Sequence, residues 1–282
     1  MAEEEEILPV FNSRRETEAF YNKLSGWYDL LTTSHELPLA LEALEMLNVQ
    51  RGNAFLEVGC GTGRILEVAS EKVTKEGVVY GLDLAEGMLD VAEKNLRKGG
   101  IAALRVTSDA LRIEECSSIL SDQLSCTVAV ESEARTESPN LEAPQELKGS
   151  DNVAGSGGAS VMLVAGPARN SLEKFPSEFF DCVFISFVFD LLELNEIDAL
   201  LLDLSRVMKR TGKLAAVSLS KEEQTFMTSV FEFIHKHLPS VMDCRPIFLA
   251  RTLERNHWRI QQSMLKKLSG TPVELVVATP PT

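Results

Sequence analysis

The chain lacks any pair of cysteines at metal-ligand spacing. Its five cysteines, at 60, 116, 126, 182 and 244, are scattered and odd in number. That pattern reads as free thiols in a reducing compartment, with Cys60 and Cys182 as small packing residues. A cationic secretory start is also lacking, because Met1-Ala2-Glu3-Glu4-Glu5-Glu6 is its electrostatic reverse. The most apolar run, Cys182 to Phe189, is far shorter than a membrane span. Basic residues are scarce, 28 against 42 acidic ones, for a net charge of −14. Such a surface repels phosphate backbones and anionic lipid. Lys209-Arg210 and Lys266-Lys267 read as solvated helix-end charges. These absences lead us to expect a cytoplasmic protein with no metal site, no nucleic-acid partner and no stable membrane insertion.

Aromatic residues are missing over a long stretch. None occurs between Tyr80 and Phe175. From about 131 to 160 the chain is rich in Glu, Ser, Pro, Gly and Ala, including Gly155-Ser156-Gly157-Gly158. Such composition buries too little apolar area to offset its ordering cost. Residues 112–171 are therefore read as a low-complexity insertion, largely disordered. Two apolar patches within it, Cys126 to Val130 and Val161 to Ala165, are candidate strands of one hairpin.

Elsewhere 44% of residues are hydrophobic, enough for a sizeable core. A single domain over 1–282 is the simplest organisation. Its first 50 residues form a helical segment with an aromatic cluster of Phe20, Tyr21, Trp27 and Tyr28, followed by an amphipathic helix over 36–48. Strands are expected at 54–58, 77–82, 104–107, 180–189, 213–219, near 258–260 and at 272–278. Helices are expected at 65 onward, 85–98, 195–209, 222–238 and near 247–255. The alternation implies an α/β fold with a mostly parallel sheet and helices on both faces.

One motif carries chemistry. Leu56-Glu57-Val58-Gly59-Cys60-Gly61-Thr62-Gly63 lies between a strand and a helix pattern, and Asp83 ends the next strand, 20 residues after Gly63. Glycines at such a turn remove Cβ atoms where a ligand must approach closely. The helix start supplies unpaired N–H groups and a favourable dipole, and Asp83 is placed to accept ribose hydroxyls. A dinucleotide fingerprint needs its third glycine at 64, where this chain has Arg64. The spacing favours a different adenosine ligand, S-adenosylmethionine. Ser108-Asp109-Ala110 ends the third strand, where an acid can accept from an adenine amino group. Ser186 lies on the fourth strand near the sheet edge.

With these residues in view, the chain resembles a class I S-adenosylmethionine-dependent methyltransferase, and is most similar to the ubiquinone/menaquinone-type small-molecule enzymes. The resemblance runs over 13–109 and 172–278. It implies a Rossmann-like, seven-stranded, mostly parallel sheet whose last strand, 272–278, is reversed. Phe20 to Asp29 resembles the segment that closes over the cofactor, so Tyr21 and Tyr28 are expected at it. Glu57, Gly59, Cys60, Gly61, Thr62 and Gly63 are expected around its methionine part. Asp83 and Leu84 resemble the ribose motif, Met88 the residue packed on adenine, Asp109-Ala110 the adenine-amino motif, and Ser186 a cofactor-contacting serine. Quinone-biosynthetic members carry an Arg-Asn pair after the fourth strand. This chain has Val188-Phe189-Asp190-Leu191 there, which argues against a quinone ring. Asp243-Cys244-Arg245-Pro246-Ile247 recurs in relatives of unassigned substrate.

The expected reaction is in-line methyl transfer to a small, largely apolar organic molecule. No catalytic base is assigned. His35, His235, His237 and Asp190 are the candidates, and Asp190 reads equally well as a cap for the next helix. Two alternatives stand beside this reading. One is a cofactor-binding subunit that docks a partner through 112–171. The other is an NAD-dependent oxidoreductase, against which Arg64 speaks.

Overall fold

The structure is a computed structural model, and it describes residues 7–32, 35–111, 113, 158–223 and 244–281. In chain order the elements are α1 (Arg14–Thr32), α2 (Glu36–Leu47), β1 (Ala54–Val58), α3 (Arg64–Val73), β2 (Val78–Asp83), α4 (Glu86–Lys98), β3 (Ala103–Thr107), β4 (Val161–Ala165) and α5 (Ala168–Leu172). They continue with β5 (Phe180–Ser186), a 3-10 turn (Phe189–Leu191), α6 (Leu194–Val207), β6 (Met208–Leu219), α7 (Leu249–Arg255), β7 (Arg259–Leu268) and β8 (Thr271–Thr279). The strands form one sheet in the order β3-β4-β2-β1-β5-β6-β8-β7. Strands β3 through β6 pair in parallel, and β8 runs antiparallel to both β6 and β7.

Central strands buried on both faces should be apolar throughout. β1 is buried at all five positions. Its Phe55 points into a core shared with Leu44 of α2, Leu66 of α3 and Leu89 of α4. Leu56 and Val58 point the other way, toward Leu172 of α5, Leu204 of α6 and Leu253 of α7. The same alternation separates Phe184 from Val183 on β5 and Ala215 from Leu214 on β6. An aromatic group ties distant segments together on the second face. Tyr80 meets Phe175 edge-on at 5.0 Å and Phe180 at 5.8 Å. The strand starts of β2 and β5 are thus locked against the residues just after α5.

The sheet has eight strands, not the seven expected. The additional strand is Val161–Ala165, which belongs to neither an insertion nor a hairpin. It pairs in parallel with β2 on one side (Asp83↔Ala165) and β3 on the other (Thr107↔Ala165). Residues 158–171 are therefore part of the folded domain, although they were read as insertion. Five consecutive apolar residues can fill a central position even when the flanking chain is polar, because the pairing partners are supplied from elsewhere in the sequence. The remainder of the expected insertion, including Cys126 to Val130, lies outside the described residues. So does nearly all of the expected helix 222–238, with His235 and His237. No described helix is long and apolar enough to cross a membrane. Among the described residues no group of three His, Cys, Asp or Glu could hold a metal.

Leu163 of β4 is fully buried. Leu163→Ala should cost about 2–5 kcal/mol of stability, read by chemical denaturation. An unchanged midpoint would show that β4 does not occupy the sheet.

Candidate functional site

The turn after β1 reverses the chain through three glycines in the left-handed region, Gly59 (φ 72), Gly61 (φ 50) and Gly63 (φ 79). L side chains rarely adopt this conformation. The three are not equivalent. A Cβ on Gly59 would lie 2.3 Å from Val188 Cγ2, and one on Gly63 would lie 3.1 Å from Ala92 of α4, whereas one on Gly61 would meet nothing within 4 Å. Gly59 and Gly63 are required by packing, and Gly61 leaves open space for a ligand. The loop is held to the end of β2, where the backbone N–H groups of Gly59 and Cys60 both donate to Leu82 O, at 2.8 and 3.0 Å. Cys60 is buried, and its Sγ lies against Gly81, so it packs the loop onto β2.

Asp83 completes this arrangement. Its carboxylate accepts from Gly61 N at 2.7 Å and Ala85 N at 2.8 Å. Burial raises its pKa to about 6 despite these donors. Glu57 is also buried, and among the described residues its Oε2 has no hydrogen-bond partner. Burial, with the Asp83 charge second, holds its pKa well above the usual carboxylate range. A buried oxygen without a donor is costly. A cationic or N–H-bearing ligand group at the cradle would relieve that cost.

Two cavities meet at the loop. The larger, of about 490 Å³, runs along the ends of β1 and β2. It gathers Gly59, Gly61, Asp83, Leu84, Met88 and Ser186, with Tyr21 and Tyr28 of α1. The smaller, of about 80 Å³, adjoins Glu57, Cys60 and Thr62, and shares Tyr28, Gly59, Gly61 and Ser186 with the larger. Gly63 lies behind, against α4.

Asp109 and Ala110 line neither cavity. The physical reason is β4. It stands between β2 and β3, so the end of β3 is two strand spacings, roughly 10 Å, from β2. The strand end beside Asp83 is that of β4, where Gly166 N donates to Asp83 O at 2.9 Å. Gly166 and Pro167 line the larger cavity in the place where the acid of the expected adenine-amino motif was anticipated. No residue pattern in the sequence signalled this exchange.

Helix α1 is pinned to the glycine turn by a residue not singled out from the sequence. Asp29 accepts from Thr62 Oγ1 at 2.5 Å, from Arg64 Nη2 at 2.5 Å and from Asn95 Nδ2 at 3.3 Å. Asn22 adds a second anchor, accepting from Gly87 N at 2.7 Å. Asp29 was visible only as the neighbour of Tyr28, and Asn95 on α4 carried no signal. Arg64, the residue that breaks the dinucleotide spacing, thus holds α1 in place.

Of the candidate bases, His35 is exposed ahead of α2. Asp190 is fully buried but lines neither cavity. It does not cap α6; Glu193 does, in a reciprocal box with Glu196. Asp190 instead accepts from the Ser218 hydroxyl and from Leu219 N, fixing the turn after β5 to β6. Burial raises its pKa to about 7.

With this geometry described, comparison with known proteins gives the same reading. A family model described as a methyltransferase domain matches residues 55–134. Aklanonic acid methyltransferase of Streptomyces sp. (strain C5) is 34% identical over 85 residues, 30% of this chain and 38% of that protein. Demethylmenaquinone methyltransferase of Geobacillus kaustophilus (strain HTA426) is 32% identical over 90 residues, again 30% and 38%. The crystal structure of a methyltransferase from Bacillus halodurans C-125, itself assigned without proof of activity, shares the fold with a TM-score of 0.54 at 13% identity, covering 86% of this chain and 99% of that one. These matches support a class I S-adenosylmethionine-dependent methyltransferase, the domain model matching residues 55–134 of the chain. The aligned stretches span 38% of each of these two relatives.

Two tests follow from the site. Gly59→Ala should lower stability through its clash with Val188. Gly61→Ala should cost only about 1 kcal/mol but lose ligand affinity. Thermal unfolding and calorimetric titration separate the two, and equal behaviour of both variants would contradict the division of roles. The second concerns Asp190. An acid with a raised folded-state pKa contributes most below the unfolded value, near 4, and loses that contribution as pH rises through about 7. Asp190→Asn should therefore flatten the decline of stability between those pH values, measured by denaturation at several pH values. An unaltered slope would remove Asp190 as its source.

Proposed function

We propose that the protein transfers a methyl group from S-adenosylmethionine to a small, largely apolar organic molecule. The observation that carries this is the junction of the two cavities at the glycine turn. One is large and largely apolar; the other is small and edged by carboxylates. In this reading Asp83 accepts the ribose hydroxyls, Leu84 and Met88 contact the adenine, and Gly166 and Pro167 border it. Glu57 and the loop N–H groups surround the methionine part, and its ammonium would meet the partnerless Glu57 oxygen. Tyr21, Tyr28 and Ser186 lie between these regions.

The bound sulfonium would supply an activated methyl. The protein's contribution is placement and exclusion of water. Helix α1, pinned through Asp29 and Asn22, covers the cradle and fixes the approach to it. The acceptor side is apolar, with Phe187, Val188, Leu191 and Leu192 lining the larger cavity. A net charge of −14 speaks against a nucleic-acid acceptor. Val188-Phe189-Asp190-Leu191 stands where quinone-type enzymes carry an Arg-Asn pair, which speaks against a quinone ring.

Calorimetric titration with S-adenosylmethionine and with NAD tests the cofactor assignment. Saturable binding of the former is expected, weakened by about 1.5–3 kcal/mol in Asp83→Ala, since a charged acceptor is lost. Binding of NAD alone would sink it. Labelled cofactor with fractionated extract should place label in the organic phase, and label in RNA or protein would overturn the acceptor class.

A further inference from the structure

Tyr28, Ser186 and Phe187 each line both cavities, so they mark the point where the two halves of a bound cofactor would join. The backbone is strained there. Phe187 has φ 52, a left-handed conformation that bulky L residues rarely adopt. At the same point the Tyr28 hydroxyl donates to Glu36 Oε2 at 3.2 Å. Glu36 opens α2 and lines the smaller cavity.

Three other carboxylates nearby are held by donors of their own. Asp29 holds Thr62, Arg64 and Asn95. Asp83 holds Gly61 and Ala85. Asp190, which faces Glu36 electrostatically from the turn after β5, is bound to Ser218 and Leu219. Glu57 lies deep on β1. Among the described residues, Tyr21 and Cys244 also interact electrostatically with Tyr28, and Cys60 and Arg64 line the smaller cavity beside the pair. Burial raises the pKa of Glu36, the Tyr28 hydroxyl acting in the opposite direction. The Tyr28 hydroxyl is itself held well above its usual range, first by burial and then by the Glu36 charge.

We propose that Glu36, through the hydroxyl of Tyr28, takes the proton that the methyl acceptor gives up, and that the acceptor atom is therefore protic: a hydroxyl, thiol, N–H or acidic C–H. The inference rests on the methyl-transfer reading above. In the balanced step the acceptor X–H forms a C–X bond with the methyl. The C–S bond of the sulfonium breaks, its electron pair remaining on sulfur as a neutral thioether. The X–H proton passes to the Tyr28 oxygen as the Tyr28 proton passes to the Glu36 carboxylate, which later returns a proton to solvent. An acceptor without a removable proton, such as a thioether or tertiary amine, would need no such pair.

The test uses the full-length protein, S-adenosylmethionine as binding probe, and the extract component that accepts label. Glu36→Gln and Tyr28→Phe should each lower kcat at least about 100-fold. Calorimetric affinity for S-adenosylmethionine should stay within about threefold of wild type. The rate of wild type should rise with pH as Glu36 deprotonates, and Glu36→Gln should lose that rise while Asp190→Asn keeps it. Glu36→Asp should recover part of the rate, and it serves as the test variant should Glu36→Gln not fold. A tenfold loss of cofactor affinity with kcat retained would overturn the proposal, making Glu36 a cofactor ligand. So would kcat and pH profile both unchanged, or a labelled product whose accepting atom never carried a proton. Wild-type protein that binds no S-adenosylmethionine, or transfers no label, would overturn the methyl-transfer reading and this inference with it. Wild-type transfer with an indifferent Glu36 overturns the inference alone.

Discussion

The site depends on the attachment of the glycine turn to the end of β2. Two N–H groups of the loop converge on Leu82 O, and a third reaches the Asp83 carboxylate. These bonds hold three residues of positive φ in one shape. That shape aims the start of α3, opens the space over Gly61 and places Asp83 at the rim of the larger cavity. Glycine adopts these angles without strain, and close neighbours fix the choice. Here Val188 closes on Gly59 from the turn after β5, Ala92 on Gly63 from α4, and Cys60 packs against Gly81.

The second constraint is electrostatic. Glu57 and Asp190 are buried and Asp83 is half-buried, all near strand ends, and desolvation raises the pKa of each. Desolvating a carboxylate is unfavourable unless donors surround it. Asp190 has its donors within the fold and serves to join the turn after β5 to β6. Asp83 has donors but remains at a cavity wall. Glu57 keeps one oxygen without a partner. The three form a series from structural to ligand-facing, and the unsatisfied one lies where a positively charged ligand group would be most welcome. The same logic makes Asp29 a structural acid, since three donors surround it and bind α1 to the cradle.

Much of this was legible in the amino-acid sequence. The Glu57 to Gly63 motif, the acid at Asp83 and the apolar strands at 54–58 and 180–186 are local patterns, fixed by residues adjacent in the chain. Tyr21 and Tyr28, seven apart on one helix, were legible for the same reason, and both line the larger cavity. Asp109 shows where such reading stops. A strand followed by Ser-Asp-Ala has the expected local form, yet its distance from the larger cavity depends on which strand lies beside β2. Val161–Ala165 takes that position although some fifty residues separate it from β3.

The sequence by itself thus determined the class of fold, the glycine turn and its acid, because these follow from residue-by-residue sterics and periodicity. The tertiary structure alone decided the eighth strand, the Gly166-Pro167 edge of the cavity, the Asp29 staple and the meeting of Tyr28 with Glu36. Each of these is a choice of partner between segments distant in the chain or across a helix break. Hydrogen-bond registers and buried side-chain contacts make that choice collectively, and no local pattern encodes it.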